Sequence, residues 1–241
     1  NAQSAAEAFR SLRTNLQFMS VDNPPRIIVV TSSKPGDGKS TVTANLAAAI
    51  AASGSAVILL DGDLRRPTVA TSFGLVEGAG LTDVLIGRAQ VDDVLQQHSE
   101  LPGLQVMAAG GIPPNPSELL GSQTMARLLK KLSERAIVLV DAPPLLPVTD
   151  GAVLTAMSDG AFVVVSSGKT LDTELAASLD YLNAVNGRTL GIIFNGVASR
   201  DVYSSGYYYS ENADANAKPT RESQKAAKAE AKAVAKVASK G

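Results

Sequence analysis

The sequence predicts an α/β protein whose central sheet is doubly wound and mostly parallel, with helices on both faces. Only 4% of the 241 residues are aromatic and none is Trp, so the core has to be built from Ala, Val, Leu and Ile. Such a core is typical of sheets that helices cover on both sides. Six short apolar runs, rich in Val and Ile, alternate with helical segments. Their continuous hydrophobicity indicates strands that are buried on both faces.

The elements can be assigned in chain order. A helix comes first, over residues 4–20, because its apolar positions recur at spacings of three and four, at Phe9, Leu12, Leu16 and Met19. The sequence DNPP then stops this helix. The predicted strands follow, over residues 26–32, 56–61, 104–110, 136–141, 161–167 and 190–195.

A glycine-rich turn, SSKPGDGKST at residues 32–41, joins the first strand to the next helix. Glycines let backbone N–H groups approach oxygen atoms closely, and the helix start adds the positive end of its dipole, so this turn suits a polyphosphate. Lys39 would reach the β- and γ-phosphates, and the Ser40 hydroxyl would ligate Mg²⁺. One position departs from the usual G-x-x-x-x-G-K-[ST] pattern, because Ser33 stands where glycine is expected.

Three aspartates come at the ends of predicted strands. VILLDGDLRRP places Asp61 and Asp63 after the second strand, and AIVLVDAPP places Asp141 after the fourth. Ligands of open α/β sheets gather at these strand ends. Mg²⁺ on nucleotide phosphates needs one or two such carboxylates, acting through water. Transfer to a side-chain hydroxyl also needs a proton acceptor, and we assign that role to Asp61.

The C-terminal part of the chain differs in composition from the rest. Four of the five tyrosines lie within seven residues, at Tyr203, Tyr207, Tyr208 and Tyr209. Residues 211–241 are mostly Ala, Lys, Asn and Ser, so no face of a helix there could dock on a core or insert firmly into a bilayer. We therefore predict a globular domain over residues 1–202, a tyrosine cluster over 203–210 and a flexible tail over 211–241.

Composition argues against several classes of function. A formal net charge of −1 gives no electrostatic case for nucleic acid as a partner. The absence of cysteine removes disulfides and thiolate metal sites, and it fits a reducing compartment. The most apolar window is interrupted by Asn, Ser and Gly, which is not typical of a membrane span. Because the chain has no initiating Met and no signal peptide, we expect that Asn1 lies within a longer polypeptide.

Several blocks together resemble the cytoplasmic kinase domain of bacterial tyrosine kinases (BY-kinases) that regulate capsular and exopolysaccharide synthesis. These are P-loop proteins related to the MinD and ParA ATPases. SSKPGDGKST resembles the Walker A motif, VILLDGDLRRP the family's Walker A′ motif and IVLVDAPPLLPVTD its Walker B motif. GIPPNPSELLGS resembles the loop and helix that precede Walker B. EAFRSLR is similar to the E-x-x-R-x-x-R oligomerisation motif, and YSSGYYYS to the C-terminal tyrosine cluster.

This resemblance, which covers residues 4 to about 209, implies a kinase that uses ATP and Mg²⁺. It implies nucleotide contacts from Gly36, Asp37, Gly38, Lys39, Ser40 and Thr41. It also implies that Ser40, Asp63 and Asp141 hold the metal and that Asp61 faces the tyrosine hydroxyl. Asn195, which closes the last predicted strand, matches the asparagine with which related ATPases read adenine.

The resemblance also implies an assembly and its partners. Glu7, Arg10 and Arg13 would contact the neighbouring subunit of a ring, and the four cluster tyrosines would be phosphorylated in trans. The other implied partners are a membrane activator of polysaccharide polymerisation and export, in the same or a separate polypeptide, and a cognate protein-tyrosine phosphatase. The implied location is the cytoplasmic face of the cell membrane.

Two other functions stay open. Lys34 lies five residues before Lys39, where the MinD and ParA positioning ATPases carry a signature lysine. Pro35 in place of glycine, the Asp61 and Asp63 pair and the tyrosine cluster count against that interpretation. The second alternative is a nucleotide-binding scaffold that organises polysaccharide machinery without catalysis.

Overall fold

The computed structural model describes residues 2–197. The strands among these residues are β1 (Ile27–Ser32), β2 (Val57–Asp61), β3 (Leu95–Gln97), β4 (Leu104–Met107), β5 (Ile137–Asp141), β6 (Gly160–Ser166) and β7 (Thr189–Asn195). The helices of the same region are α1 (Ala2–Phe18), α2 (Lys39–Ala52), α3 (Val69–Phe73), α4 (Leu81–Leu85), α5 (Val91–Val94), α6 (Pro116–Leu120), α7 (Gln123–Ser133), α8 (Asp150–Ala156) and α9 (Asp172–Ala184).

The seven strands form one sheet in the order β3-β4-β2-β5-β1-β6-β7. Every neighbouring pair is parallel except β3 and β4, which are antiparallel. The predicted doubly wound, mostly parallel sheet is therefore confirmed. Strand β5 lies between β1 and β2, so the carboxyl ends of these three strands are side by side.

Two apolar layers cover the faces of the sheet. One layer contains Leu128 of α7, Leu154 of α8 and Leu182 of α9. The opposite layer contains Leu16 of α1 and Leu46 of α2, and α1 packs against α2. Because helices cover both faces of the sheet, the loops that follow the carboxyl ends of the strands are the part of the sheet that a ligand can reach.

The six predicted strands are present, with ends that differ by a few residues from the predicted ones. Strand β3 was not predicted, because its three residues include two Gln and therefore form no apolar run. Its position at the edge of the sheet explains this composition, since only one side of the strand is paired. The first helix runs from Ala2 to Phe18, slightly earlier than predicted. None of the helices within residues 2–197 is both long enough and apolar enough to span a bilayer.

Gly62 permits the close approach of two segments beside β5. Its N–H donates a hydrogen bond to the Asp141 carbonyl at 2.8 Å. A Cβ at this position would lie 2.8 Å from the Val140 Cγ1 and 3.1 Å from the Asp141 carbonyl oxygen, distances that real side chains hardly reach. The glycine between the two aspartates is therefore a packing requirement of the β2–β5 junction.

We predict that Gly62→Ala lowers the free energy of unfolding by about 1–3 kcal/mol, because a methyl group would overpack this junction. Urea denaturation of the purified protein measures this change. Gly78→Ala is the matched control, since Gly78 is exposed and a Cβ at this position would have no neighbouring atom within 4 Å. Equal stability of the two variants would contradict the packing requirement.

Candidate active site

The strand register brings the three predicted carboxylates to one place. Asp61 is the register partner of Asp141 in the β2–β5 pair, and Val30 is the register partner of Asp141 in the β1–β5 pair. The glycine-rich turn follows directly after β1. The predicted phosphate loop and the three aspartates therefore meet at the carboxyl edge of the sheet, where parallel α/β proteins bind their ligands.

The phosphate loop ends at the start of α2. Gly36 and Gly38 have φ angles of 87° and 92°, in the left-handed region that favours glycine. Gly38 is the N-cap of α2, and no side chain caps this helix end. The first N–H groups of a helix have no intrahelical partner, so they are available to an anion, and the helix dipole favours negative charge at this position.

A cleft of about 650 Å³ opens in front of this loop. Its walls are formed by the loop, the segment after β2 and the proline-rich segment after β5. The lining residues are Pro35, Gly36, Gly38, Lys39, Ser40, Thr41, Asp63, Arg65, Arg66, Thr68, Pro143, Pro144, Pro147 and Val148. Most of the predicted nucleotide contacts are thus brought together on one surface.

Lys39 lies among acidic side chains at the base of the cleft. Its Nζ is 3.3 Å from Asp63 Oδ2, 3.8 Å from Asp141 Oδ1 and 3.2 Å from the Ser40 hydroxyl. The Lys39 side chain is only 12% exposed, so solvent screens these charges little. Lys39 therefore partly neutralises a carboxylate pair that is costly to leave without a positive charge.

Asp141 is the most isolated carboxylate of the site. It is fully buried, and within residues 2–197 its oxygens accept no hydrogen bond of normal geometry, although the Ser40 and Thr43 hydroxyls lie close enough to lower its pKa. Burial raises the pKa of Asp141, while the charge of Lys39 opposes this rise. A buried carboxylate without a hydrogen bond is rare and requires an explanation. A hard cation such as Mg²⁺, bound directly or through water, fits these oxygens together with Asp63 and Ser40.

Asp61 lies behind the wall of the cleft. It is fully buried, and its carboxylate accepts hydrogen bonds from the backbone N–H groups of Asp63, Thr68 and Val69 at 3.2, 3.1 and 3.0 Å. Burial raises its pKa from 3.8 to about 7, although the bond from the Val69 N–H acts in the opposite direction. Asp61 therefore shapes the segment that carries Asp63 to the cleft, and its role as the proton acceptor stays a prediction.

Asp37 and Asn195 make contacts on the far side of the loop. The Asp37 carboxylate accepts bonds from the Lys34 N–H at 3.0 Å and the Thr170 hydroxyl at 2.9 Å. Asp37 can therefore offer only its backbone to a ligand in the cleft. The Asn195 side-chain nitrogen donates to the Asp37 carbonyl at 3.1 Å. Contact between Asn195 and adenine stays a prediction.

The departure at Ser33 has a structural explanation. Ser33 is fully buried, and its hydroxyl lies 2.8 Å from the hydroxyl of Ser178 on α9. The neighbouring Lys34 forms a salt bridge of 2.8 Å with Glu174 of the same helix. The serine thus takes part in a contact that glycine could not make.

The sequence patterns missed an ionic network beside the cleft. Arg65 Nε donates to the buried Asp150 carboxylate at 2.8 Å, and the Ser117 hydroxyl donates to the same carboxylate at 2.6 Å. These residues belong to the three blocks that resemble Walker A′, the loop and helix before Walker B, and Walker B. The sequence indicated only that each residue lies in a block that resembles a family motif. That the three side chains meet depends on the tertiary fold.

The predicted oligomerisation residues divide into two groups. Arg10 donates hydrogen bonds to Glu7, and both side chains are exposed on α1. Arg13 is half-buried, and its Nη1 lies 3.4 Å from the Ala49 carbonyl on α2 of the same chain. Arg13 thus contributes to packing within the subunit. The predicted substrates Tyr203, Tyr207, Tyr208 and Tyr209 lie outside the described residues.

The fold and this site define a P-loop nucleotide-binding protein. The ParA family model, described as NUBPL iron-transfer P-loop NTPase, matches residues 23–218. The chain is 40% identical over 204 residues to the tyrosine-protein kinase YwqD of Bacillus subtilis, covering 84% of this chain and 86% of that protein. The kinase domain of the Escherichia coli tyrosine kinase ETK is 35% identical, with a TM-score of 0.78 and coverage of 82% and 77%.

The chain belongs to the bacterial tyrosine kinases, within the ParA-related P-loop NTPases. The septum-site-determining protein MinD of Pyrococcus horikoshii, solved with Mg-ADP, is a more distant neighbour. It is 25% identical, with a TM-score of 0.61 and coverage of 73% and 72%. The chain spans only 27% of the putative tyrosine-protein kinase EpsB of Ralstonia nicotianae, to which it is 38% identical over 83% of its own length.

The raised pKa of Asp61 predicts a pH dependence of stability without metal and nucleotide. Between about pH 4 and about pH 7 the folded chain holds a proton on Asp61 that the unfolded chain has lost. The contribution of Asp61 to the free energy of unfolding should therefore decrease as the pH rises through this window. Urea denaturation in the presence of EDTA across the window measures the slope.

Asp61→Asn should reduce this slope, whatever its effect on absolute stability, and the raised pKa of Asp141 contributes to the slope that remains. Asp180→Asn is the control, because Asp180 is an exposed aspartate on α9. If the Asp61→Asn variant kept the slope of the original protein, the assignment of a raised pKa to Asp61 would be wrong.

Proposed function

We propose that this chain transfers the γ-phosphoryl group of Mg-ATP to the tyrosines of its own C-terminal cluster, each subunit of a ring acting on its neighbour. The observation that carries this proposal is the buried Asp141 carboxylate, which accepts no hydrogen bond of normal geometry within the described residues and lies 3.8 Å from Lys39 at the base of a glycine-loop cleft. A cation and a polyphosphate together satisfy every charged group of this cluster. Membership of the bacterial tyrosine kinases supports tyrosine as the acceptor.

The residues of the cleft have distinct roles in this reaction. The backbone N–H groups of the loop and of the start of α2 bind the phosphate oxygens, together with Lys39 and Thr41. Ser40, Asp63 and Asp141 hold Mg²⁺, which neutralises charge on the β- and γ-phosphates when it is bound. The sequence resemblance implies an adenine contact for Asn195, and a comparison of ligands with and without a base tests this role against one in phosphate binding.

The transfer itself is a displacement at phosphorus. The phenol oxygen of a tyrosine forms a bond to the γ-phosphorus, while the bond from this phosphorus to the β–γ bridging oxygen breaks and ADP leaves. The proton of the phenol passes to one carboxylate of the Asp61 and Asp63 pair. The sequence predicts Asp61 as the acceptor, whereas Asp63 lines the cleft and is also assigned to Mg²⁺, so the pH dependence of the rate in the Asp61→Asn variant tests the assignment.

The length of the tail permits transfer within a subunit or between subunits, and the direction of attack favours transfer between them. The tyrosines follow Asn195 by eight to fourteen residues, so the connecting segment spans at most about 26–50 Å. A hydroxyl must approach the γ-phosphate from the side opposite the phosphate loop, and a neighbouring subunit can present its tail from that side. Each transferred phosphate adds about −1.5 to −2 charges, so modification would repel the tail from the acidic site and loosen the ring.

The proposed setting is the regulation of capsule or exopolysaccharide polymerisation and export at the cytoplasmic face of the membrane. It includes a membrane activator in the same or a separate polypeptide and a phosphatase that removes the tyrosine phosphates. It rests on the resemblance to the kinases of such systems.

Two other functions are tested by the same assay. A positioning ATPase is favoured by the ParA family match and the likeness to MinD, and it predicts release of free phosphate. A nucleotide-binding scaffold predicts neither phosphotyrosine nor free phosphate.

We predict transfer of phosphate between two different variants of this chain. One variant carries Lys39→Met and keeps all four cluster tyrosines, and the other keeps Lys39 but has Phe at the four positions. Neither variant alone should label with ATP that carries ³²P on the γ-phosphate. The mixture should label the Lys39→Met chain, because an intact site then meets an intact tail. Phosphopeptide mass spectrometry identifies the modified tyrosines.

Lys39→Met alone should leave a folded chain and reduce tyrosine phosphorylation by orders of magnitude, since Lys39 faces the ligand. If this variant formed as much phosphotyrosine as the original protein, the cleft would not be the active site. No label in the mixture would reject transfer between subunits. If most of the ³²P appeared as free phosphate, the result would favour the positioning ATPase.

We predict that replacing both Glu7 and Arg10 by Ala lowers the oligomeric mass in light scattering. These two side chains are exposed and pair with each other, so their loss should spare the packing of α1 on α2. Gln17→Ala, also exposed on α1, is the control. Arg13 is left unchanged because of its contact with α2. If the double variant kept the oligomeric mass of the original protein, Glu7 and Arg10 would be solvated surface residues with no part in assembly.

A further inference from the structure

The side of the phosphate loop that faces away from the cleft is held by residues from the end of the described chain. Asn195 closes β7, and Thr170 lies in the turn between β6 and α9. Ser178 lies on α9 itself. Each of them contacts the loop through a side-chain polar group, at Asp37 or at Ser33. We call these three residues the loop brace.

Asn195 controls the orientation of one peptide unit. Its side-chain nitrogen donates to the Asp37 carbonyl at 3.1 Å. In a trans peptide the carbonyl and the following N–H point in opposite directions, so this bond directs the Gly38 N–H away from Asn195 and towards the cleft that Gly38 lines. Any Cβ at residue 38 would collide with the Asn195 amide, so the contact also requires glycine there.

Thr170 holds Asp37 by a hydrogen bond to the Asp37 carboxylate. The Thr170 hydroxyl donates to Asp37 at 2.9 Å and accepts from the Ser166 N–H at 2.9 Å. It is therefore anchored to the end of β6. The second oxygen of Asp37 accepts the Lys34 N–H, which closes the loop on itself. Asp37 is only 4% exposed, so loss of the Thr170 bond would leave a buried carboxylate oxygen without this donor.

Ser178 supports the start of the loop. Its hydroxyl lies 2.8 Å from that of Ser33, and both residues are fully buried. The salt bridge between Lys34 and Glu174 adds a second link between the loop and α9. The loop is thus attached at both ends to the segment that contains β6, α9 and β7.

We propose that Asn195 and Thr170 are positioning residues for the phosphate-binding backbone, and that Asn195 acts on phosphate affinity instead of reading adenine. This inference rests on the proposed binding of Mg-ATP in the cleft. Both residues act through Asp37, which sets the direction of the Gly38 N–H. Their loss should therefore weaken the binding of any ligand that carries the polyphosphate, whether or not it has a base.

The test compares Mg-ATP with Mg-tripolyphosphate, which has no base, by calorimetry on the full chain. Asn195→Ala and Thr170→Val should each raise the dissociation constants of both ligands by the same factor, about five- to tenfold, as expected for one lost hydrogen bond. Thr170→Ser keeps the hydroxyl and should restore the original affinity. Thr173→Val is the matched control, because Thr173 is exposed on α9.

A loss of affinity for Mg-ATP alone in Asn195→Ala would assign Asn195 to adenine and overturn the proposal. Unchanged affinity for both ligands would also overturn it, as would a Thr170→Ser variant as weak as Thr170→Val. Thermal unfolding of each variant shows whether the fold persists. Binding is measured without a tyrosine acceptor, so a chain that binds Mg-ATP but never phosphorylates tyrosine would contradict the proposed function and leave this inference intact.

Discussion

The site depends on one electrostatic constraint, the placement of Lys39 among carboxylates that the sheet has removed from water. Strand β5 lies between β1 and β2, so Asp141 is enclosed on both sides before any ligand arrives. An ionised carboxylate in such a position is stable only beside positive charge. Lys39 and the backbone N–H groups at the start of α2 are the positive groups that the fold supplies, and under the proposed function Mg²⁺ and the phosphates would complete the charge balance. The fold thus buries carboxylates that require more positive charge than the described residues supply.

Two glycines allow this cluster to form, for different reasons. At residue 38 the left-handed backbone and the adjacent Asn195 amide exclude a side chain. At residue 62 the backbone is ordinary, and the exclusion comes from Val140 and the Asp141 carbonyl. The first glycine serves the loop that binds the phosphates, and the second serves the junction that brings Asp63 to the cleft. The glycines of the two motifs therefore meet different physical requirements, one set by the backbone conformation and a neighbouring side chain, the other by close packing alone.

The elements that could be predicted from the sequence are those that depend on local pattern. The buried parallel strands are recognisable as continuous apolar runs, and the phosphate loop is recognisable as a glycine-rich segment between a strand and a helix. The contact of Ser33 with Ser178 and the network of Arg65, Ser117 and Asp150 could not be predicted, because their partners are distant in sequence and have no spacing rule. The same applies to Asp61, whose position behind Asp63 depends on backbone N–H groups of the following segment. Strand β3 was missed because an edge strand of three residues has no apolar run to detect.

A phosphate loop of this kind serves both kinases and ATPases, so the distinction between them has to come from the acceptor. Water reaches any open cleft, whereas a tyrosine hydroxyl has to be delivered on a chain of the right reach. The cleft has one apolar wall of Pro143, Pro144, Pro147 and Val148, which can pack against an aromatic side chain, whereas its polar side chains lie on the loop and on the segment after β2. Phosphotransfer to tyrosine then needs no residue beyond those that bind Mg-ATP and one carboxylate to accept a proton. The phosphate-binding machinery is common to the whole P-loop class, so the specificity for tyrosine has to come from other parts of the cleft, of which the proline-rich wall is the candidate among the described residues.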